Sequence, residues 1–390
     1  MIDQKTALSN WNEAGQLFDA IKTPDTPDHY EATMLKIGEL IAPLTVPMAK
    51  PFKARVAFYC ATGHILAHIV ELGLLLRGLG KIGHPIEPYI VTGSPCTPEF
   101  LMAFQGHRII TPPANLDPIM KWVWIQDKCR QIHMDAFVHV SVGKEIHFAA
   151  GIRMARKHVW WSMKWGAEVY GIDAYFRTAG PNHRGLENLR GVDWRMLYAA
   201  LPEFHRPELA ELAAKTRATI AYKTVYGTCA RNEKFSAEFI ERVKLILERD
   251  TNAFYLYGAR KPIPEIDALP RTQFIDWPTP ALFVQTVDVF LDTHPFPGGH
   301  VVWEAIAAKT PVVLSTEISN EQPFPFFMFG GSPCLAAANR SGYIEIAEMF
   351  ARHEELRTEW TERYRKFYET EMCDEEKMAR EFLAALDAVI

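Results

Sequence analysis

Two series of short β-rich apolar runs alternate with helical segments along this chain, and that alternation limits its fold more than any other feature. RVAFYCAT (55–62) reads as a strand, and PIEPYIVTG (85–93) as the next one. Between them ILAHIVELGLLLRGLG (65–80) repeats its apolar positions with helical period and stops on Gly80. Such a βαβ unit implies parallel strands with helices on the sheet faces. HRIITP, the helix NLDPIMKWVWIQDKCRQI, AFVHVS (136–141) and HVWWSMKW (158–165) extend the series, which predicts a first parallel-sheet domain ending near residue 200. A second series runs through TVYGTCA (224–230), the helix SAEFIERVKLILERD, AFYLYG (253–258), TQFIDW (272–277), VDVFLDT (287–293), a helix over about 299–309 and PVVLST (311–316).

The predicted fold class is α/β, with two facing Rossmann-like, doubly wound domains after an N-terminal helical extension. The extension covers 1–50, with helices around 5–22 and 28–43 before the connector PMAKPFKAR. The N-terminal domain covers 51–205, and the C-terminal domain 206–390 closes with charged amphipathic helices from 341. One large sheet is the alternative, but 390 residues exceed the usual single core and fit two domains better. With 48% hydrophobic and 23% charged residues, the composition is that of a folded globular chain.

A formal charge of −5 and a pI near 6.3 give no global attraction to nucleic acid or anionic lipid, so any anion site must be local. The six cysteines are widely spaced with no CxxC pair, which fits reduced thiols better than a disulfide frame or a zinc site. The start MIDQKTALSNWNEAG lacks the basic and apolar regions of a secretory leader, and no apolar run is long enough to span a bilayer. The expectation is a cytoplasmic protein.

LDTHPFPGGHVVWEAIAAKTPVVLST (291–316) carries the chemistry. In a doubly wound domain the ligand lies beyond the carboxyl ends of the strands, where a helix N-terminus offers unpaired N–H groups to an anion. Gly298 and Gly299 let backbone approach a phosphate closely, His300 and Val301 open the helix, and Glu304 falls about one turn later, where a carboxylate can accept ribose hydroxyls. The plainer alternative is a Gly-rich turn whose Glu304 only complements the helix dipole.

This segment resembles the donor-binding segment of GT-B glycosyltransferases, most of all the family 41 group of O-linked N-acetylglucosamine transferases and bacterial cytoplasmic N-glycosyltransferases. In that group a strand ending L-D-T leads to an N/G-G-H turn, a helix bearing an acid, and G-x-P. Gly299 and His300 match the turn, Glu304 stands where the O-linked enzymes carry a ribose-binding Asp, and Lys309-Thr310-Pro311 replaces G-x-P. YCATGHILAH (59–68) is similar to the group's H-x-x-x-H segment lining the active-site cleft, and VYGTCARNEKFS (225–236) resembles the first donor-domain strand, where a cation covers the diphosphate. The TPR array of the O-linked enzymes is absent.

The resemblance implies a GT-B hexosyl- or N-acetylhexosaminyl-transferase that uses a UDP-linked sugar as co-substrate and needs no other cofactor. It also implies inversion at the anomeric carbon. The chain holds no Asp-x-Asp, so a metal-independent site is expected, with the helix N-terminus and Arg231 or Lys234 supplying the positive field. The plainer alternative for either cation is a solvated strand or helix end. His64, directly after the first strand, is the catalytic candidate because an imidazole suits proton transfer near neutral pH. His68 would share its face on a helix, as an acceptor or sugar contact or as a packed histidine. Asp276 and Trp277 are the base-site candidates, Trp277 by stacking unless it is plain core. In the aromatic run 158–176, Lys164, Trp165 and Glu168 are candidate acceptor or sugar contacts, against core and interface. The acceptor is left open among protein, glycan and small molecule. Two rivals share these features: a non-hydrolysing GT-B sugar-nucleotide epimerase, which would need carboxylates in the cleft, and a non-catalytic nucleotide-sugar-binding partner subunit.

Overall fold

Val56 to Cys60 are enclosed on every side, as a strand covered on both faces of a parallel sheet must be, and this is why RVAFYC reads as an unbroken apolar run. The computed structural model describes residues 54–84, 86–140, 149–162, 169–177, 191–193, 207–295, 297–315 and 335–390, together with positions 6, 9, 10, 12, 13, 16, 17, 36, 39 and 40. Lys164, Trp165 and Glu168 lie outside the described residues.

Two compact units result. Residues to Leu197 and Glu375–Ile390 form the first, and Tyr198–Asp374 the second. The first holds β1 (Arg55–Cys60), β2 (Glu87–Thr92), β3 (Arg108–Ile110), β4 (Ala136–His139), β5 (Lys157–Ser162), β6 (Ala174–Arg177) and β7 (Gly191–Asp193). They pair in parallel in the order β3-β2-β1-β4-β5-β6-β7. Period-two alternation divides β1 between two layers. Ala57 and Tyr59 join a core with Trp122 and Ile125 of helix Pro118–Ile132, onto which Leu17 and Leu40 of the N-terminal stretch also pack. Phe58 meets Phe382 of the last helix, Glu375–Asp387, with ring centroids 5.6 Å apart.

That last helix groups with the first unit, a correction to the expectation that all of 206–390 forms one domain. Gly78 explains the pairing: on helix Ala67–Lys81, a Cβ there would overlap the Glu375 carbonyl, so the missing side chain permits close approach. Arg77 and Lys81 then bind the Glu375 carboxylate at 2.9 and 3.1 Å. Helix Ala67–Lys81 also passes through Gly80, the expected stop. Its end is set by Gly83, which takes the left-handed conformation at φ 63°.

The second unit holds β8 (Thr224–Cys229), β9 (Ala253–Ala259), β10 (Thr272–Asp276), β11 (Val289–Leu291), β12 (Val312–Ser315) and β13 (Ala336–Ala337), again all parallel. Their order, β10-β9-β8-β11-β12-β13, is the doubly wound arrangement in which the strand order reverses between β8 and β11. The core below includes Tyr226, Phe239, Val243, Ile246, Leu291 and Tyr343. Ser236 caps helix Ala237–Arg249 by accepting the Phe239 N–H, and Asn339 caps helix Arg340–Arg352 through Gly342. Every strand expected from the sequence is present within a few residues. The strands not foreseen are β6, β7 and β13, whose two to four residues are too short to show a period.

Candidate functional site

The reversal between β8 and β11 is where a doubly wound sheet opens a crevice, and the turns leaving those two strands carry most of the donor-site candidates. After β8 the chain makes a 3-10 turn, Asn232–Lys234, and Lys234 reaches across so that its Nζ donates to the Pro297 carbonyl at 2.5 Å. After β11 comes the turn that ends in Gly298 and Gly299, and helix His300–Ala307 starts with Gly299 as its cap residue, which has no side chain to cap it. Glu304, half-buried, faces the end of β8. Cys229 shows this: burial first, and then the Glu304 carboxylate, push its thiol up to about 12.

The turn is held by Asp292, the Asp of the L-D-T strand end, and by side chains that no motif singles out. Asp292, 2% exposed, accepts the backbone N–H of Thr293 at 2.9 Å and of Gly298 at 2.6 Å through Oδ1. The Tyr343 hydroxyl donates to the Asp292 carbonyl at 2.6 Å. The Ser236 hydroxyl donates to the His294 carbonyl at 2.5 Å, and His294 Nε2 lies 3.3 Å from Glu238. Arg242, wholly buried, bonds Glu238 at 3.1 Å and lies over the Tyr343 ring. The available signal is Asp292 itself, a carboxylate closing a buried apolar strand immediately before a Gly-rich turn.

Arg231 is half exposed and pairs with Glu233 at 3.1 Å. Asp276 ends β10 and Trp277 follows it, two strand spacings or roughly 10 Å from β8. Trp277 is 46% exposed, with the Arg260 guanidinium 5.2 Å from its ring centroid, so plain core is excluded for it.

In the first unit the strand order reverses between β1 and β4. Gly63 follows β1, and a Cβ there would overlap the Pro95 carbonyl. Its N–H bonds Ser94 at 3.1 Å and its carbonyl accepts Thr97 N–H at 2.9 Å, so the turns after β1 and β2 are joined and His64 stands exposed at their rim. Helix Ala67–Lys81 begins three residues later, so His64 precedes it and the four-residue spacing to His68 does not put the pair on one helix face. His68 is half-buried in the first turn. At the end of β4, His139 Nε2 lies 3.1 Å from His158 Nδ1, and His158 Nε2 accepts the N–H groups of Met154 and Ala155 at 2.8 and 3.2 Å. Burial, then His139, then Arg153 hold His158 well below the usual histidine range. Among the described residues no three of His, Cys, Asp and Glu come together as metal ligands, and no helix is long and apolar enough to cross a membrane.

No protein-family model matches the chain, and no curated protein matches it. Solved structures do. A mutant of the O-GlcNAc transferase of Thermobaculum terrenum superposes with a TM-score of 0.68 at 16% identity, covering 98% of this chain and 81% of that one. HepE of Anabaena, in complex with UDP and glucose, gives 0.61 at 10% identity, covering 86% and 100%. A Listeria monocytogenes structure described as a UDP-N-acetylglucosamine 2-epimerase gives 0.54 at 13% identity, covering 86% and 96%. These likenesses, with two parallel sheets that each reverse strand order beside their first strand, show the fold: two doubly wound α/β units of the GT-B type.

Proposed function

We propose that the chain is a glycosyltransferase that moves a sugar from a UDP-linked donor to an acceptor, without a metal and with inversion. The observation that carries this reading is the convergence of Lys234, the Gly298–Gly299 turn at the start of helix His300–Ala307, and Glu304 on the ends of β8 and β11. A diphosphate needs positive potential where its charge grows as the sugar leaves, and a lysine beside a helix N-terminus supplies it. Gly298, Gly299, His300 and Val301 would hold the diphosphate with Lys234, and Glu304 the ribose. Asp276 and Trp277 would hold the base, and His64 is assigned to proton transfer at the acceptor. The UDP named in the HepE complex supports the choice of nucleotide.

The test is calorimetric titration with UDP, UDP-glucose and UDP-N-acetylglucosamine, with and without EDTA, followed by assay for sugar transfer. Binding that survives the chelator is expected, and binding that vanishes and returns with magnesium or manganese defeats the metal-free reading. The epimerase likeness favours one second reading. Incubating the bound UDP-sugar without acceptor separates the two, since an epimerase accumulates the epimeric sugar nucleotide and a transferase does not.

A further inference from the structure

Asp292 spends its side chain wholly inside the protein. Its Oδ1 ties together Thr293 and Gly298, at either end of the turn that leads into helix His300–Ala307. The fit leaves no slack, because a Cβ on Gly298 would stand 2.9 Å from that same oxygen and 2.9 Å from Val301 Cγ1. From the other side Lys234 grips the turn through the Pro297 carbonyl, and its positive charge acts on Asp292. Burial raises the Asp292 carboxyl to about 7, against the opposing pull of the Gly298 N–H and of Lys234.

We propose that Asp292 is a positioning residue for the donor diphosphate, holding the shape of the turn that leads into helix His300–Ala307 and taking up a proton when the diphosphate arrives. The inference rests on the donor-site reading above. An incoming diphosphate brings a second negative charge to Lys234, and in a buried site one cation does not keep two neighbouring anions ionised. The carboxyl is the group that yields: one proton passes from solvent to Asp292 on binding and returns on release. The protonated acid keeps a carbonyl oxygen to accept the Thr293 and Gly298 bonds, so the turn holds its shape in both states. Other titratable groups surround the carboxyl. Tyr343, from helix Arg340–Arg352, is held neutral well above its usual range by burial and then by Asp292 itself. Cys229 and Glu304 lie on the β8 side, and burial with Glu304 keeps the thiol neutral. His294, Glu238, Arg242 and Ser315 bond among themselves behind the turn.

UDP is titrated at pH 7 in three buffers of different ionisation enthalpy, into wild type, Asp292→Asn and Asp292→Ala. The dependence of the measured heat on the buffer counts the protons bound. Wild type is expected to take up a measurable fraction of a proton more than Asp292→Asn, in which the amide keeps an acceptor oxygen but cannot titrate. Subtracting the two removes the contribution of the UDP phosphate. Asp292→Ala, without the tie, is expected to bind UDP at least 10-fold more weakly, because the turn must then be ordered on binding. Equal proton uptake in wild type and Asp292→Asn overturns the proposal, as does Asp292→Ala binding within threefold of wild type. If the alanine variant fails to fold, the asparagine comparison decides alone. Wild type that binds neither UDP nor inorganic pyrophosphate defeats the donor-site reading first, and this inference falls with it.

Discussion

Lys234 Nζ donates to the Pro297 carbonyl at 2.5 Å, so a cation leaving β8 is fixed against the turn that leaves β11. Arg231, three residues earlier, instead points its charge at the exposed Glu233. The two cations that the sequence leaves equivalent are therefore unequal in the fold. Lys234→Ala is expected to weaken UDP by about 10- to 100-fold, the effect of losing a charged hydrogen bond of about 1.5–3 kcal/mol. Arg231→Ala should stay within about threefold, because an exposed ion pair contributes little. Calorimetric titration of both variants checks the ranking, and the reverse order would move the diphosphate to Arg231.

Glu304 lies one turn into helix His300–Ala307, with its carboxylate near enough to Cys229 to raise the thiol. A ribose held there should be read through its hydroxyls. Glu304→Ala is expected to cost about 1–3 kcal/mol in UDP binding. Wild type should also prefer UDP to 2′-deoxy-UDP, and the variant should lose that preference. If the variant keeps both affinity and preference, Glu304 serves only the helix dipole.

Elements with strong periodicity are legible in the amino-acid order itself. The runs at Val56–Cys60, Thr224–Cys229 and Ala253–Ala259 are buried on both faces, and their composition says so directly. The Gly298–Gly299 turn is legible for a different reason, since two glycines after a Pro-rich break mark backbone that must come close to something. Asp292 is legible as the end of the L-D-T strand, but its hold on the turn is not, because a single carboxylate does not announce its partner. Its meaning comes from Gly298, six positions away, and that distance is closed only by the turn. The pairing of Gly78 with Glu375 lies further out of reach, since 297 positions separate two residues whose contact depends on an absent side chain. His139 and His158 likewise read as strand residues until the register of β4 beside β5 brings the rings to 3.1 Å.

His64 is exposed at the rim of the turns after β1 and β2, and among the described residues its hydrogen bond is made by the backbone N–H, to Thr62 Oγ1 at 3.3 Å, while its ring lies within electrostatic reach of Glu99. Replacing its side chain should therefore leave the fold intact. His64→Ala is expected to lower turnover by roughly 100-fold or more, as general acid–base help is felt mainly in the transition state. UDP affinity should change by less than about threefold, and the melting temperature should stay within a degree or two, as for other surface changes. Full turnover in the variant removes His64 from the mechanism.

His158 and His139 make an acid-sensitive point in the first unit. His158 Nε2 accepts two backbone N–H groups, which fixes the proton of the neutral ring on Nδ1 and makes that nitrogen the donor to His139 Nε2. A protonated His158 would have to break both backbone bonds, in keeping with its depressed basicity. The sign follows from linkage. Unfolded histidine binds a proton below about pH 6.5, while folded His158 does not until much lower, so the unfolded state gains protons first and stability falls as the pH drops below that value. One such group gives a slope of up to about 1.4 kcal/mol per pH unit in this range. His158→Gln retains an oxygen that can accept from Met154 and Ala155 but cannot titrate. Its urea midpoint at pH 7 should be lower than that of wild type, and the difference should narrow steadily between pH 6.5 and 5. Parallel pH profiles for the two proteins would show that the pair is not what limits stability in acid.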